Sequence, residues 1–192
     1  MSRELTVVKV GGSLLSDRSR LRAVLAALAE GRDGPCVVVP GGGPFAEAVR
    51  ISQAAVGFDD ALAHRLALDA MGRMAEVLSA LEPRLTIAAT WDAASAILAR
   101  GGVPVWDPAA LKTGHAEIPE TWAVTSDSLA VWLAAQWRAR RCVLVKSAIV
   151  PVGATPEHLT RLGLVDAAFP AFAGRYAGEI VLRGPSGKRA AA

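Results

Sequence analysis

A short apolar segment that contains one lysine and ends in two glycines restricts the fold of this chain more than any other stretch. Residues 5–10 read as a buried strand, and Lys9 interrupts its apolar run. Gly11, Gly12 and Ser13 follow, and a glycine lets the backbone approach an anion closely because it carries no Cβ. Backbone N–H groups in such a turn can form an anion pocket. Taken alone, the stretch leaves two interpretations open: a phosphate-binding turn, or a strand with an incidental lysine.

The order of apolar segments along the chain predicts an α/β fold. Strands are expected at residues 5–10, 36–40, 85–88, 103–106, 141–147 and 179–182. Helical patterns lie between them, at residues 18–29, 45–55, 61–81, 90–100, 129–138, 155–162 and 169–176. Fully apolar strands are typical of parallel sheets that are covered on both faces. We therefore expect a single α/β domain over residues 1–184, with an open, mainly parallel sheet and helices on both faces, followed by a flexible tail over residues 185–192.

Composition excludes several classes of protein. Of the 192 residues, 52% are hydrophobic and 20% are charged, which is enough for a sizeable core. The sequence has neither an apolar run of the roughly 18 residues that a membrane span needs nor a signal peptide, so a cytoplasmic protein is expected. The net charge is +3 and the longest basic run is Arg140-Arg141, which argues against nucleic-acid binding but suits small anionic ligands. Cys36 and Cys142 have no metal-site spacing, so no protein-bound metal is expected.

Two later motifs resemble ligand-binding turns. Gly41, Gly42 and Gly43 follow the second strand and precede a proline, which suits the first turn of a helix. Ser126 and Asp127 open a late helix, and either side chain is at minimum an N-cap candidate.

A second strand that ends in a lysine strengthens the phosphate interpretation. Lys146 closes the apolar run that begins at residue 141, and Ser147 follows it. In open α/β sheets, ligands bind at the carboxyl ends of the strands. Lysines and glycine N–H groups at that edge are suited to phosphoryl transfer, in which the protein aligns donor and acceptor and neutralises the transferred charge. The Walker pattern, the protein-kinase glycine-rich loop and the Rossmann pattern are all absent.

Together, Val-Val-Lys-Val-Gly-Gly-Ser, Gly-Gly-Gly-Pro and Thr-Ser-Asp-Ser resemble the amino acid kinase superfamily over roughly residues 5–150. This superfamily includes acetylglutamate, aspartate, carbamate, uridylate and isopentenyl phosphate kinases. The resemblance implies a three-layer α/β/α fold, with ATP and Mg²⁺ over the C-terminal half of the sheet and a small anionic acceptor over the N-terminal half. It also implies self-association into a homo-oligomer.

The resemblance also implies a role for each motif residue. Lys9, Asp127 and Lys146 would be the catalytic residues: Lys9 would bridge the phosphates, and Asp127 would orient the two lysines rather than act as a base. The transferring phosphate would be bound by Gly11, Gly12 and Ser13, the acceptor by Gly41, Gly42 and Gly43, and the nucleotide by Ser126, Lys146 and Ser147. The nucleotide phosphates, rather than protein ligands, would carry Mg²⁺.

Residues 118–128 resemble in particular the small kinases of methanofuran-type cofactor biosynthesis. Those enzymes are similar to kinases that convert an aminomethylfuran-methyl phosphate into its diphosphate. Many members of the superfamily carry an Asp-Val-Asp-Gly turn after the late strand, whereas residues 146–150 contain neither acid. This difference leaves two alternatives open: a catalytically inactive kinase-like binding or assembly subunit, or a kinase for another small carboxylate or phosphate monoester.

Overall fold

One twisted sheet with helices on both faces positions every residue of the candidate site. The computed structural model describes residues 5–185 and 189–191. Within them the strands are β1 (Thr6–Val10), β2 (Cys36–Pro40), β3 (Leu85–Ala88), β4 (Val103–Trp106), β5 (Arg141–Val145), β6 (Glu179–Arg183) and β7 (Arg189–Ala191). Their order across the sheet is β3-β4-β2-β1-β5-β6-β7. All neighbours are parallel except β6 and β7, which are antiparallel.

One or two α-helices separate successive strands from β1 to β6. They are α1 (Arg18–Ala29), α2 (Gly43–Val56), α3 (Asp60–Leu81), α4 (Trp91–Ala99), α5 (Ser126–Gln136), α6 (Pro156–Arg161) and α7 (Phe169–Ala173), with 3₁₀ helices at Gly12–Ser16 and Pro108–Thr113. In the described residues, no helix has the length and apolar character needed to cross a membrane.

The core forms two layers because successive strand residues point to opposite faces of the sheet. Val7 packs with Leu129 and Leu133 of α5 on one face. On the other face, Val8 packs with apolar side chains of α1 and of the second half of α3. Burial on both faces explains why the central strands are almost entirely apolar. The predicted α/β/α fold with an open, mainly parallel sheet is confirmed.

Several predicted boundaries differ from the structure. The helix expected at residues 45–55 already begins at Gly43, because Gly42 serves as its N-cap. The late helix begins at Ser126 and ends at Gln136, rather than covering residues 129–138. The helix expected at residues 169–176 ends at Ala173. Of the tail predicted over residues 185–192, residues 186–188 and 192 lie outside the described part of the chain.

Candidate active site

Two buried lysines and one carboxylate meet at the carboxyl end of the central strands. Val10 of β1 is paired with Val145 of β5, so Lys9 and Lys146 come to the same edge of the sheet. Asp127 Oδ1 lies 2.9 Å from Lys9 Nζ and 2.7 Å from Lys146 Nζ. Each of the three residues is less than 9% exposed. Lys9 shares the strand face of Val7, which packs against α5, and this places its ammonium group beside Asp127.

Mutual contact and burial shift the pKa values within this cluster. Burial alone would raise the pKa of Asp127, but the two ammonium groups outweigh that effect and hold the pKa below its ordinary value. Burial and the neighbouring Lys9 ammonium lower the pKa of Lys146 to about 8, against the opposing influence of Asp127. The Asp127 carboxylate therefore stays ionised at neutral pH. The Lys146 ammonium, by contrast, has a pKa only slightly above neutral pH.

The first turn of α5 presents Asp127 to the lysines. Thr125 is the N-cap of this helix, so the expectation that Ser126 or Asp127 fills that position is wrong. Asp127 lies in the first turn, where the helix dipole favours a negative charge. The side chain of Asp166 accepts hydrogen bonds from Thr125 and Ser128, on either side of Asp127. No local pattern in the sequence indicates this contact.

The two glycine turns pack against each other without room for side chains. A Cβ added to Gly12 would lie 2.3 Å from the Cα of Gly43, and one added to Gly41 would lie 2.7 Å from the nitrogen of Gly12. The N–H of Gly41 donates to the carbonyl of Val10 at 2.9 Å, which ties the second turn to the end of β1. Gly43 has a φ of +55°, a conformation that favours glycine.

Serines connect the first turn to the end of β5. The hydroxyl of Ser147 donates to Ser13 Oγ at 2.9 Å. The guanidinium of Arg20 donates to the carbonyl of Lys146 at 2.5 Å. The stretch that follows Lys146 leaves Ile149 and Val152 highly exposed. The predicted nucleotide residues Lys146 and Ser147 therefore adjoin the predicted phosphate residue Ser13.

A cleft of about 550 Å³ opens beside Lys9, a volume that suits a small molecule. Of the predicted site residues, the lining includes Lys9, Gly12, Ser13, Gly41, Gly42, Gly43 and Ser126. Among the described residues, Gly11, Asp127, Lys146 and Ser147 lie outside this lining. The structure therefore separates a cleft on the Lys9 side from the surface around Lys146.

Sequence reasoning missed the side chains that form the far wall of the cleft. The guanidinium of Arg50 lies 4.2 Å from the centroid of the Trp122 ring, and Trp122 Nε1 donates to Gln53 Oε1 at 2.6 Å. His64 also lines the cleft, and burial lowers the pKa of its imidazole. The long polar connection before α5 is fixed to α3 by Lys112–Asp69 at 2.6 Å and Arg65–Glu120 at 2.8 Å. The length of this connection is visible in the sequence, but the residues of α3 that it contacts are not.

Comparison with known proteins finds kinases among those similar to this chain. Residues 4–89 match the model of the amino acid kinase family. The predicted resemblance to the amino acid kinase family is confirmed. A relative from Methanocaldococcus jannaschii, [5-(aminomethyl)furan-3-yl]methyl phosphate kinase, is 29% identical over 127 residues. That match covers 66% of this chain and 58% of the relative, less than two thirds of its length.

Solved structures of uridylate and aspartate kinases share the fold. Uridylate kinase from Archaeoglobus fulgidus superposes with a TM-score of 0.64 at 19% identity, over 92% of this chain and 89% of that one. UMP kinase from Ureaplasma parvum gives a TM-score of 0.69 at 14% identity, over 97% and 89% of the two chains. Aspartate kinase from Synechocystis gives 0.69 at 18% identity, over 98% of this chain and 40% of the other. At these identities the likeness concerns the fold alone.

Proposed function

We propose that this protein is a small-molecule kinase that transfers the γ-phosphoryl group of ATP to the phosphate oxygen of a small phosphate ester. The observation that carries the proposal is the contact of one Asp127 oxygen with both lysine ammonium groups. Because the two ammonium groups contact Asp127 and lower its pKa, the carboxylate is a weak base and is poorly suited to removing a proton from a hydroxyl acceptor. A phosphate or carboxylate acceptor needs no such step, since its oxygen is already an anion.

The site residues suit each part of such a transfer. An acceptor oxygen forms a new bond to the γ-phosphorus while the bond to the ADP oxygen breaks, and ADP leaves with that electron pair. The ammonium groups of Lys9 and Lys146 would stabilise the charge on the transferring group, and the N–H groups of Gly11 and Gly12 would hold it. Mg²⁺ would neutralise part of the nucleotide charge. Within the described residues, no group of three or more His, Cys, Asp or Glu side chains could hold a metal ion.

We propose an aminomethylfuran-methyl phosphate as the acceptor, in a pathway of the methanofuran or methylofuran type. The printed name of the Methanocaldococcus jannaschii relative supports this choice. Lys9 and the glycine turns suit the phosphate end of such a molecule. Glu47 in the cleft lining, which pairs with Arg50 at 3.4 Å on the exposed side of α2, offers a carboxylate to its ammonium group. Asp59 and Asp60, the acidic residues at the start of α3, make hydrogen bonds within the fold. Asp59 caps α3 through the N–H of Leu62, and Asp60 accepts a hydrogen bond from Gln53.

The missing Asp-Val-Asp-Gly turn supports a second candidate, a kinase-like binding or assembly subunit without turnover. The exposed stretch after Lys146 replaces the acids that many relatives carry there. Self-association and a cytoplasmic location remain predictions under either proposal.

ADP release separates these candidates. The purified protein is incubated with ATP, Mg²⁺ and a panel that contains the furan phosphate, other phosphate monoesters and small carboxylates. We expect turnover with a phosphate monoester and the highest kcat/KM with the furan phosphate. Turnover only with a carboxylate would refute the acceptor class, and the absence of both turnover and calorimetric ATP binding would favour the binding subunit.

A further inference from the structure

A second carboxylate, that of the half-buried Asp166, accepts hydrogen bonds from the residues on both sides of Asp127. Asp166 Oδ2 accepts from the N–H of Thr125 at 2.9 Å, from its hydroxyl at 2.8 Å and from the N–H of Ser128 at 3.0 Å. Asp166 Oδ1 accepts from the hydroxyl of Ser128. The partners lie 41 and 38 residues earlier in the chain, so the contact joins the stretch between α6 and α7 to the start of α5.

Helix capping alone does not account for this arrangement. Thr125 occupies the N-cap position, yet its hydroxyl donates to Asp166 and makes no cap hydrogen bond. A threonine cap would satisfy the helix without burying a charge. Burial, and to a lesser extent the nearby charge of Asp127, raise the pKa of Asp166 against the effect of its hydrogen bonds. The chain thus places two carboxylates beside the first turn of α5. Removing the charge of Asp166 from water costs free energy that a threonine N-cap would avoid.

Building on the proposed kinase function, we propose that Asp166 is a positioning residue for phosphoryl transfer. By fixing the backbone at Thr125 and Ser128, it fixes Asp127 between them. Asp127 in turn sets the positions of the Lys9 and Lys146 ammonium groups. A shift of about 1 Å in groups that contact a transition state can lower the rate on the order of a hundredfold.

Two substitutions separate the effect of the Asp166 hydrogen bonds from the effect of its charge. Asp166→Asn keeps an amide oxygen for the two backbone N–H groups, and its amide N–H can donate to the rotatable hydroxyl of Ser128. Asp166→Ala removes every acceptor. We expect kcat to fall roughly 10- to 100-fold in Asp166→Ala, with both KM values little changed, and to stay within a few-fold of wild type in Asp166→Asn.

Thr90→Ala is the matched control for helix capping. Thr90 caps α4 by accepting from the N–H of Ala93, and α4 contributes no described residue to the cleft. This variant should lose stability with unchanged kcat. Loss of stability alone in Asp166→Ala, or an equal loss of kcat in Asp166→Asn and Asp166→Ala, would overturn the proposal.

Lysine acylation supplies a readout that does not depend on turnover. Lys9 and Lys146 are buried, so an amine-reactive reagent followed by peptide mapping should label them slowly in wild type and in Asp166→Asn. In Asp166→Ala we expect labelling of Lys146 to be faster by about tenfold or more, because the reagent reaches a buried amine only when the structure opens locally. Equal protection in all three proteins would overturn the positioning role even if wild type proved inactive. If Asp166→Ala fails to fold, Ser128→Ala replaces it, and wild-type kcat together with wild-type protection would overturn the proposal.

Discussion

One carboxylate oxygen contacts two ammonium groups in the buried cluster of Lys9, Asp127 and Lys146. Asp166 adds a second negative charge near Lys146, but its own hydrogen bonds come from Thr125 and Ser128. Under the proposed function, phosphoryl oxygens would bring further negative charge to the two ammonium groups, and the low dielectric of the interior would strengthen that attraction.

The role of Lys9 is tested by Lys9→Ala. We expect turnover to fall by about a hundredfold or more, corresponding to roughly 3 kcal/mol of lost transition-state stabilisation. The melting temperature should change little, because Asp127 keeps Lys146 as its partner and a repulsive contact between two cations is removed. Steady-state kinetics and thermal unfolding measure the two effects.

Lys112→Ala is the control for losing a lysine. Lys112 pairs with Asp69 at the surface at 2.6 Å and lies outside the lining of the cleft. Its removal should leave kcat unchanged. A Lys9→Ala enzyme with near wild-type turnover would refute the role assigned to Lys9.

Titration of Lys146 should limit activity at alkaline pH. Its ammonium is charged below its pKa of about 8 and loses its charge as the pH rises through that value. The profile of kcat/KM for ATP, which reports the free enzyme, should therefore fall above pH 8. In Lys146→Arg, whose guanidinium stays protonated, the overall rate should be lower and the alkaline fall should move to higher pH. An alkaline limb at the same pH in both proteins would assign the titration to another group.

The residues of this cluster differ in how far the sequence could predict them. Lys9 interrupts an apolar strand, Lys146 follows one and Asp127 lies at the start of a helix, so local patterns identified all three. Asp166 has no local signal, because its contacts depend on how the stretch between α6 and α7 packs against α5. The N-cap interpretation failed for the same reason: Asp166 takes up the donors that a local cap would otherwise satisfy.

At the scale of elements, the glycine turns hold the ends of β1 and β2 together. Local sequence could predict that both turns are glycine-rich binding loops. It could not predict that Gly12 and Gly43 lie against each other, since that contact follows from the parallel pairing of β1 with β2. The absence of a Cβ therefore serves packing between turns as well as access to a ligand.

Gly12→Ala tests this packing. The added Cβ would lie 2.3 Å from Gly43 Cα, so one of the backbones must move. We expect a loss of about 1–3 kcal/mol in the free energy of unfolding and a marked loss of turnover. Chemical denaturation measures the first and ADP release the second.

Gly174→Ala is the matched control. Gly174 has a φ of −66°, and a Cβ there would meet only the carbonyl of Pro170, at 3.4 Å. Its stability should be unchanged or slightly higher. If Gly12→Ala is as stable and active as Gly174→Ala, the turns have room to separate and the packing argument is wrong.

At the scale of the whole molecule, the cleft joins two distant parts of the chain. Its floor comes from the turns after β1 and β2, one wall comes from α2 and α3, and residues 122–129 complete it. Lys146 and Ser147 lie on the other side of Lys9, toward β5 and β6. Under the proposed function, this division would place the acceptor in the cleft and the nucleotide near Lys146.

The division predicts that Trp122→Ala affects one substrate only. Trp122 supports Arg50 at 4.2 Å and is fixed by Gln53, so its loss should disorganise the far wall of the cleft. We expect the KM for the acceptor to rise roughly 5- to 30-fold, equivalent to about 1–2 kcal/mol of lost stacking and cation–π contact, with the KM for ATP unchanged. Trp91→Ala is the control, because Trp91 is 40% exposed and packs edge-on against Trp137 outside the cleft. A comparable rise in the KM for ATP would show that the cleft does not separate the two substrates. An equal effect of Trp91→Ala would trace the change to general loss of packing.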